Sequence, residues 1–210
     1  MANTDMVPVD NQKLNKVNKS LAVRQGKDYT ADYVPHITLD DIKRLIEVVG
    51  ERDKLIIMLM FDGCLRVSEA LSIRPEDIIQ TVDGWEVRVL GKGNKRSSVA
   101  ISASLSAQLQ SYAYRKGIKP DALFFDINRT RVFQIVQKAM AKAGVVKPDG
   151  VGSVHVLRHS GALERLRRTG NPKAVQDQLR HSSAQMTLRY MKTLSHQESM
   201  KIQQGIDYQW

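Results

Sequence analysis

A mainly α domain carrying one small antiparallel β-sheet, an α+β arrangement, is the fold class this sequence predicts. Three observations carry that expectation. Apolar residues recur at helical spacing over most of the chain from Pro35 onward. One segment, Trp85-Glu-Val-Arg-Val-Leu90, alternates instead, as a half-buried strand does. Directly after it comes Gly91-Lys-Gly-Asn94, which is turn chemistry, and then a second extended run, Ser97–Ile101, so that the two runs form a β-hairpin.

The elements follow in order. Residues 1–34 show no helical or strand period and hold five basic and four acidic side chains, so they read as a flexible arm or linker. Thr38 is placed to cap a helix with Asp40 and Asp41 in its first turn, close to a capping box. Ile42, Leu45, Ile46 and Val49 continue it at helical spacing. A second, wholly apolar helix runs through Leu55–Phe61, Gly63 breaks or bends it, and a short helix through Ser68–Leu71 comes next. Beyond the hairpin, helices are expected over 104–116, 129–144, 154–169, 172–180 and 183–191, with a short polar one over 195–205. No internal repeat is visible. The domain expectation is an arm over 1–34, a folded catalytic unit over 35–194 and a tail over 195–210.

Lys and Arg total 32 against 22 acids, a net charge of +10 that lies almost wholly in the folded part. Such an excess favours a polyanionic partner, nucleic acid before an acidic membrane surface. No run of residues has the length and apolarity of a membrane span, and the N-terminus lacks a signal-peptide core, so a membrane role loses ground and the cytosol is the expected setting. Cys64 is the single cysteine and sits in an apolar run. One thiol can form neither an internal disulfide nor a cysteine-based zinc site, which also suits a reducing compartment.

Reactive side chains concentrate in a few segments. In Gly63-Cys-Leu-Arg66-Val-Ser-Glu69, Arg66 lies between two helices; it is either a solvated helix-end residue or a planar fork aimed at a phosphate. Lys92 stands at the hairpin tip between Gly91 and Gly93, as a solubilising turn lysine or as a donor to a DNA oxygen; the spacing is not that of a phosphate-binding loop. His155-Val-Leu-Arg158-His159 puts positions 155, 158 and 159 on one helical face. Histidines four apart can bind zinc, but Val156 stands where a zinc peptidase has Glu and no third ligand follows, so no metal site is assigned. A hydrogen-bonded core histidine suits His159 better than His155. His181 and Tyr190 come last, and a lone Tyr at a helix end is ordinarily a packing residue.

Taken in order, these segments resemble the tyrosine recombinases, the phage-integrase family. The family pattern is Arg in a Gly-x-Arg-x-Ser-Glu-like segment, Lys in a hairpin turn, His-x-x-Arg, His or Trp, and Tyr. Here Arg66, Lys92, His155, Arg158, His181 and Tyr190 stand in that order, over about residues 36–195. Two positions depart from it: Cys64 where the family has Gly, with Gly63 one earlier, and Arg180 where the family commonly has Leu-Gly-His. An arm of 34 residues is shorter than the N-terminal helical domain of most members, so the resemblance is to a catalytic domain, alone or as a piece of a longer recombinase.

The resemblance implies a mechanism that needs no cofactor. Tyr190 attacks the scissile phosphate and keeps a 3′-phosphotyrosine. Arg66 and Arg158 clamp the non-bridging oxygens. Lys92 protonates the leaving 5′ oxygen, His155 accepts the Tyr190 proton or bonds the phosphate, and His181 donates to a non-bridging oxygen. It also implies double-stranded DNA with a specific site as partner, a free monomer, and a tetramer on two sites in which the tail packs into a neighbour. Arg129, Arg131, Lys138, Arg165, Arg167 and Arg168 are candidates for backbone contact. Rival readings are a type IB topoisomerase-like strand-relaxing enzyme, a DNA-binding regulator on the same fold, and a basic RNA-binding module, which lacks its aromatic strand motif.

Overall fold

The computed structural model describes residues 33–90, 96–180 and 185–194. Contacts divide the chain into Met1–Tyr33 and Val34–Trp210, and every described helix and strand belongs to the second unit. The predicted hairpin tip, including Lys92, the segment at His181, residues 1–32 of the expected arm and the polar helix expected over 195–205 lie outside the described residues.

The elements are α1 (Leu39–Glu47), α2 (Glu51–Phe61), α3 (Val67–Leu71), β1 (Ile78–Thr81), β2 (Gly84–Leu90), β3 (Arg96–Ile101), α4 (Ala103–Lys116), α5 (Arg129–Ala143), α6 (His155–Thr169) and α7 (Pro172–Leu179). Residues 185–194 are also helical and are called α8. The expected class, mainly helical with one small antiparallel sheet, is the observed one.

Helix α1 starts as its sequence dictates. The Thr38 hydroxyl accepts from the Asp41 amide, and the Asp41 carboxylate accepts from the Thr38 amide, so two otherwise orphaned donors are satisfied reciprocally. Helix α2 buries Leu55, Ile56, Ile57, Leu59 and Met60. A helix apolar on that many sides belongs in a core, and α2 packs against α1, α4 and α6. The sheet has the order β1-β2-β3, antiparallel throughout, with Val87 opposite Ile78 on one side and Val99 on the other. Val87, Val89, Val99 and Ile101 face the helices, while Arg88, Ser98 and Ala100 face outward.

Two contacts position the functional region. Gly161 of α6 lies against the end of α2 so tightly that a Cβ there would fall 1.8 Å from the Phe61 carbonyl oxygen. Only glycine allows that approach, and it seats the first turns of α6 beside the chain leaving α2. That chain then turns through Cys64, at φ +50°. A second, smaller core gathers Val34, Cys64, Ala162, Leu163, Leu166, Val175, Leu179, Tyr190 and Leu194. It ties α6, α7 and α8 to the turn after α2 and to the residue where the chain enters the unit. The Val34 amide donates to the Thr193 hydroxyl across 2.9 Å, so that entry is bonded directly to α8.

Candidate active site

Arg158 sits one turn before Gly161 on α6 and is buried. Two backbone carbonyls hold its guanidinium: Nη1 donates to Cys64 O at 2.5 Å and Nη2 to Leu179 O at 2.7 Å. Both carbonyls belong to left-handed turns built without glycine. Cys64 has φ +50° and Arg180, which follows Leu179, has φ +53°; they are the two non-glycine residues with positive φ among those described. Each such residue costs about 1 kcal/mol relative to glycine. Both are the positions where the chain departs from the family pattern, so the turns keep a glycine-like backbone while carrying side chains.

Arg66 caps α3 and is half exposed. Its Nη1 donates to Glu69 Oε1 at 2.8 Å, and its own amide donates to Oε2 at 2.7 Å. Arg180 Nη2 reaches the same Oε2 at 2.5 Å, and Arg158 Nη1 stands 3.7 Å from it. Three guanidiniums thus surround one buried carboxylate, and the group carries two uncompensated positive charges. Burial pushes the Glu69 acid up, but the Arg66 amide and the Arg180 and Arg66 charges outweigh it and hold the group below its ordinary value. Burial, reinforced by Arg66, pulls the Arg158 guanidinium down to about 10, so it remains a cation at neutral pH. A surplus of buried cation is stable only with an anion close by, and the half-exposed face of Arg66 is where one can enter.

Tyr190 is 3% exposed, and its hydroxyl lies 2.7 Å from His159 Nδ1. Burial pushes the phenol up to about 12, against a pull from Arg158. In this conformation the oxygen is protonated and engaged with His159 on the adjacent helix. His155, expected to accept the Tyr190 proton or to bond the phosphate, opens α6 at the surface. It lines an open groove of about 960 Å³ with Ser68, Asn128, Arg129, Thr130 and Phe133. The fold therefore brings Arg66 and Arg158 together, places Tyr190 in the small core beside them, and sets His155 on the neighbouring rim. Lys92 and His181 fall outside the described residues.

Arg129 and Arg131 are exposed in the first turn of α5, which holds no acidic residue. Cations there oppose the helix dipole, an arrangement that an incoming anion relieves. Lys138 is exposed further along α5. Arg131 donates to Gln134 Oε1 at 3.3 Å, and the α6 candidates have acceptors as well. Arg165 donates to Asp62 O at 3.1 Å, and Arg167 and Arg168 both pair with Glu164. Among the described residues no group of three or more His, Cys, Asp or Glu is placed to hold a metal ion, and no helix is long and apolar enough to cross a membrane.

Sequence reasoning did not assign Glu69, Arg180 or His159 to the site. Glu69 had a signal, since it stands three residues after the helix-capping position, where an acid reaches back to the cap. Arg180 had one in its departure from glycine. His159 had none that separates it from a core histidine.

The fold and site thus define a mainly helical domain with one small sheet, an arginine pair around a buried acid, and a buried tyrosine on α8. The family model described as the phage integrase family matches residues 35–197, and the chain belongs to that family. It is 32% identical over 168 residues to tyrosine recombinase XerA of Pyrococcus furiosus, covering 74% of this chain and 56% of that protein. It is 30% identical over 186 residues to tyrosine recombinase XerC of Histophilus somni, covering 83% of this chain and 62% of that one. The chain thus spans somewhat more than half the length of these relatives. Among solved structures, that of XerA recombinase has a TM-score of 0.65 at 22% identity, covering 95% of this chain and 85% of that one. The catalytic domain of bacteriophage HP1 integrase has 0.60 at 24%, covering 79% and 92%. These structural likenesses speak for the fold.

Proposed function

We propose that this chain is the catalytic part of a site-specific DNA recombinase that cuts and rejoins strands through a 3′-phosphotyrosine. The observation that carries the reading is the surplus cation of the Arg66–Glu69–Arg158 group beside the buried Tyr190. Relatives and neighbours agree with it in name: the XerA and XerC proteins are tyrosine recombinases, and the neighbouring XerH recombinase structure is bound to its difH substrate.

In the reaction, a phosphodiester of the duplex enters against Arg66 and completes the charge balance of the cluster. Arg66 and Arg158 then stabilise the charge that builds on the non-bridging oxygens. Tyr190 leaves His159, loses its proton, and its oxygen bonds to phosphorus as the bond to the 5′ oxygen breaks. Lys92 supplies the proton that makes the leaving group a 5′ hydroxyl, and His181 donates to a non-bridging oxygen. A 5′ hydroxyl from another strand reverses the step. His155, on the groove rim, bonds the phosphate or takes the Tyr190 proton. None of these steps calls on a metal ion or cofactor. The duplex lies along the groove edge, within reach of Arg129 and Arg131, in the cytosol.

The free protein is read as a monomer that becomes a tetramer on two sites, with the tail over 195–210 packing into a neighbour. Truncation after Thr193 is then expected to spare single-site binding and abolish paired-site complexes in gel-shift assays. Unchanged pairing removes the tail from the assembly.

The decisive test is covalent capture. Wild type incubated with nicked site-bearing duplex is expected to give a protein–DNA adduct on a denaturing gel, and Tyr190→Phe is expected to bind the same duplex and give none. Adduct formation by Tyr190→Phe near the wild-type rate sinks the assignment. Relaxation of supercoiled plasmid without strand exchange favours the topoisomerase-like reading.

A further inference from the structure

Arg180 occupies a turn that a glycine would form without strain, at φ +53°. It caps α7 there, with its amide donating to Asp177 O and Gln176 O. Its side chain is mostly buried. It is 14% exposed, and it spans 111 positions of sequence to reach Glu69. Glu69 does not lack partners without it, because Arg66 already gives that carboxylate a side-chain and a backbone donor. A third cation on an acid that is already satisfied adds charge to the site rather than neutralising it.

The other half of the Arg180 fork is the informative part. Its Nη1 is buried and meets no acceptor among the described residues. Buried guanidinium donors are ordinarily matched, and an unmatched one beside a cation surplus is suited to an anion that arrives later. Arg158, by contrast, has an acceptor at each of its two terminal nitrogens. Arg180 therefore brings to the cluster a donor that is not committed, on a fork whose other nitrogen is anchored.

We propose that Arg180 is a third phosphate-binding guanidinium of this active centre: Nη2 stays on Glu69 while Nη1 donates to a non-bridging oxygen of the bound phosphodiester. The proposal rests on the recombinase reading, in which the cluster handles DNA phosphate. It goes beyond the residues the resemblance supplies, since the family pattern has no side chain at this position. The alternative is a structural clamp, in which Arg180 only joins the end of α7 to α3 through Glu69.

The two roles separate in a double-mutant cycle against the phosphate charge. The full chain is first given a pool of nicked random duplexes, and Tyr190 adducts are sequenced to map a scissile phosphate. That duplex is then made with a normal phosphodiester or an uncharged methylphosphonate at the mapped position. Binding is measured for Tyr190→Phe with and without Arg180→Gly. Glycine accepts the left-handed turn, so the backbone is retained, and thermal unfolding checks it. Arg180→Gly is expected to weaken binding about 10-fold or more on the phosphodiester and by less than about 3-fold on the methylphosphonate. On the cleavable duplex it is expected to slow adduct formation by about 100-fold. Arg180→Lys keeps a charge for Glu69 but loses the fork, and it is expected to show the same selectivity; it decides the matter if the glycine variant does not fold. Equal losses on both duplexes, or no loss on either, overturn the proposal and leave the clamp. A pool that yields no Tyr190 adduct with wild type overturns the parent reading, and this inference with it.

Discussion

Glu69 faces three guanidiniums with two oxygens, and its side chain is 6% exposed. Removing its charge leaves Arg158 and Arg180 with no carboxylate partner among the described residues. Glu69→Gln is therefore expected to lower stability by about 3 kcal/mol, near the bottom of the range for breaking a buried pair, because Arg66 remains half exposed. Urea unfolding measures it. The pH dependence has a definite sign. The folded Glu69 acid lies below its ordinary 4.5, so its stabilising share is complete above about pH 4.5 and is lost as pH falls through the folded value. The gap between wild type and Glu69→Gln is expected to close as pH drops below 4.5; a gap that stays constant down to pH 3 contradicts the assignment. At this scale motif order and local spacing mark Arg66 and Arg158 as candidates, and the fold brings the two together. Arg180 stood out only as a departure from glycine; that it joins them is not a local property, because its partner Glu69 lies 111 positions away.

Elements were more legible than their contacts. The expected helices over 104–116, 129–144, 154–169 and 172–180 fall within a residue or so of α4, α5, α6 and α7, since each carries a clear apolar period and a stop such as Gly117, Gly144 or Gly170. Strand β1 was not expected. It has four residues, most of them half-buried, and so shows no alternation to read. Nor did the sequence show that Gly161 is a contact point rather than a weak spot in α6, because the neighbour that forbids a side chain there is Phe61, 100 positions away. The Phe61 atoms concerned are backbone and cannot rotate aside. Gly161→Ala must move α6 off α2, and it is expected to cost about 3 kcal/mol, the upper part of the range for overpacking. It is also expected to slow adduct formation, because Arg158 is held by Cys64 O across the same junction. A variant with wild-type melting temperature and wild-type rate shows that the junction does not position the site.

Over the whole molecule the excess of cation is what the sequence announced first, but composition alone does not say which cations would meet DNA under the proposed function. The fold sorts them by their neighbours. Arg167 and Arg168 lie in the last turn of α6, where a cation suits the helix dipole, and both pair with Glu164. Arg129 and Arg131 lie in the first turn of α5, against the dipole and with no acid in that turn, and Arg129 lines the groove that His155 also lines. A phosphate at α5 gains from two arginines and from the helix end together. A phosphate at the end of α6 competes with Glu164 and with the negative end of the dipole. Each phosphate neutralised on duplex DNA contributes about 0.9 to the slope of log affinity against log salt. Arg129→Ala with Arg131→Ala is expected to reduce that slope by about 1.8, whereas Arg167→Ala with Arg168→Ala is expected to change it by less than about 0.5. Duplex binding measured between low and moderate salt decides between them. The reverse ranking places the duplex along the far end of α6, and equal losses show that the Glu164 pairs open when DNA binds.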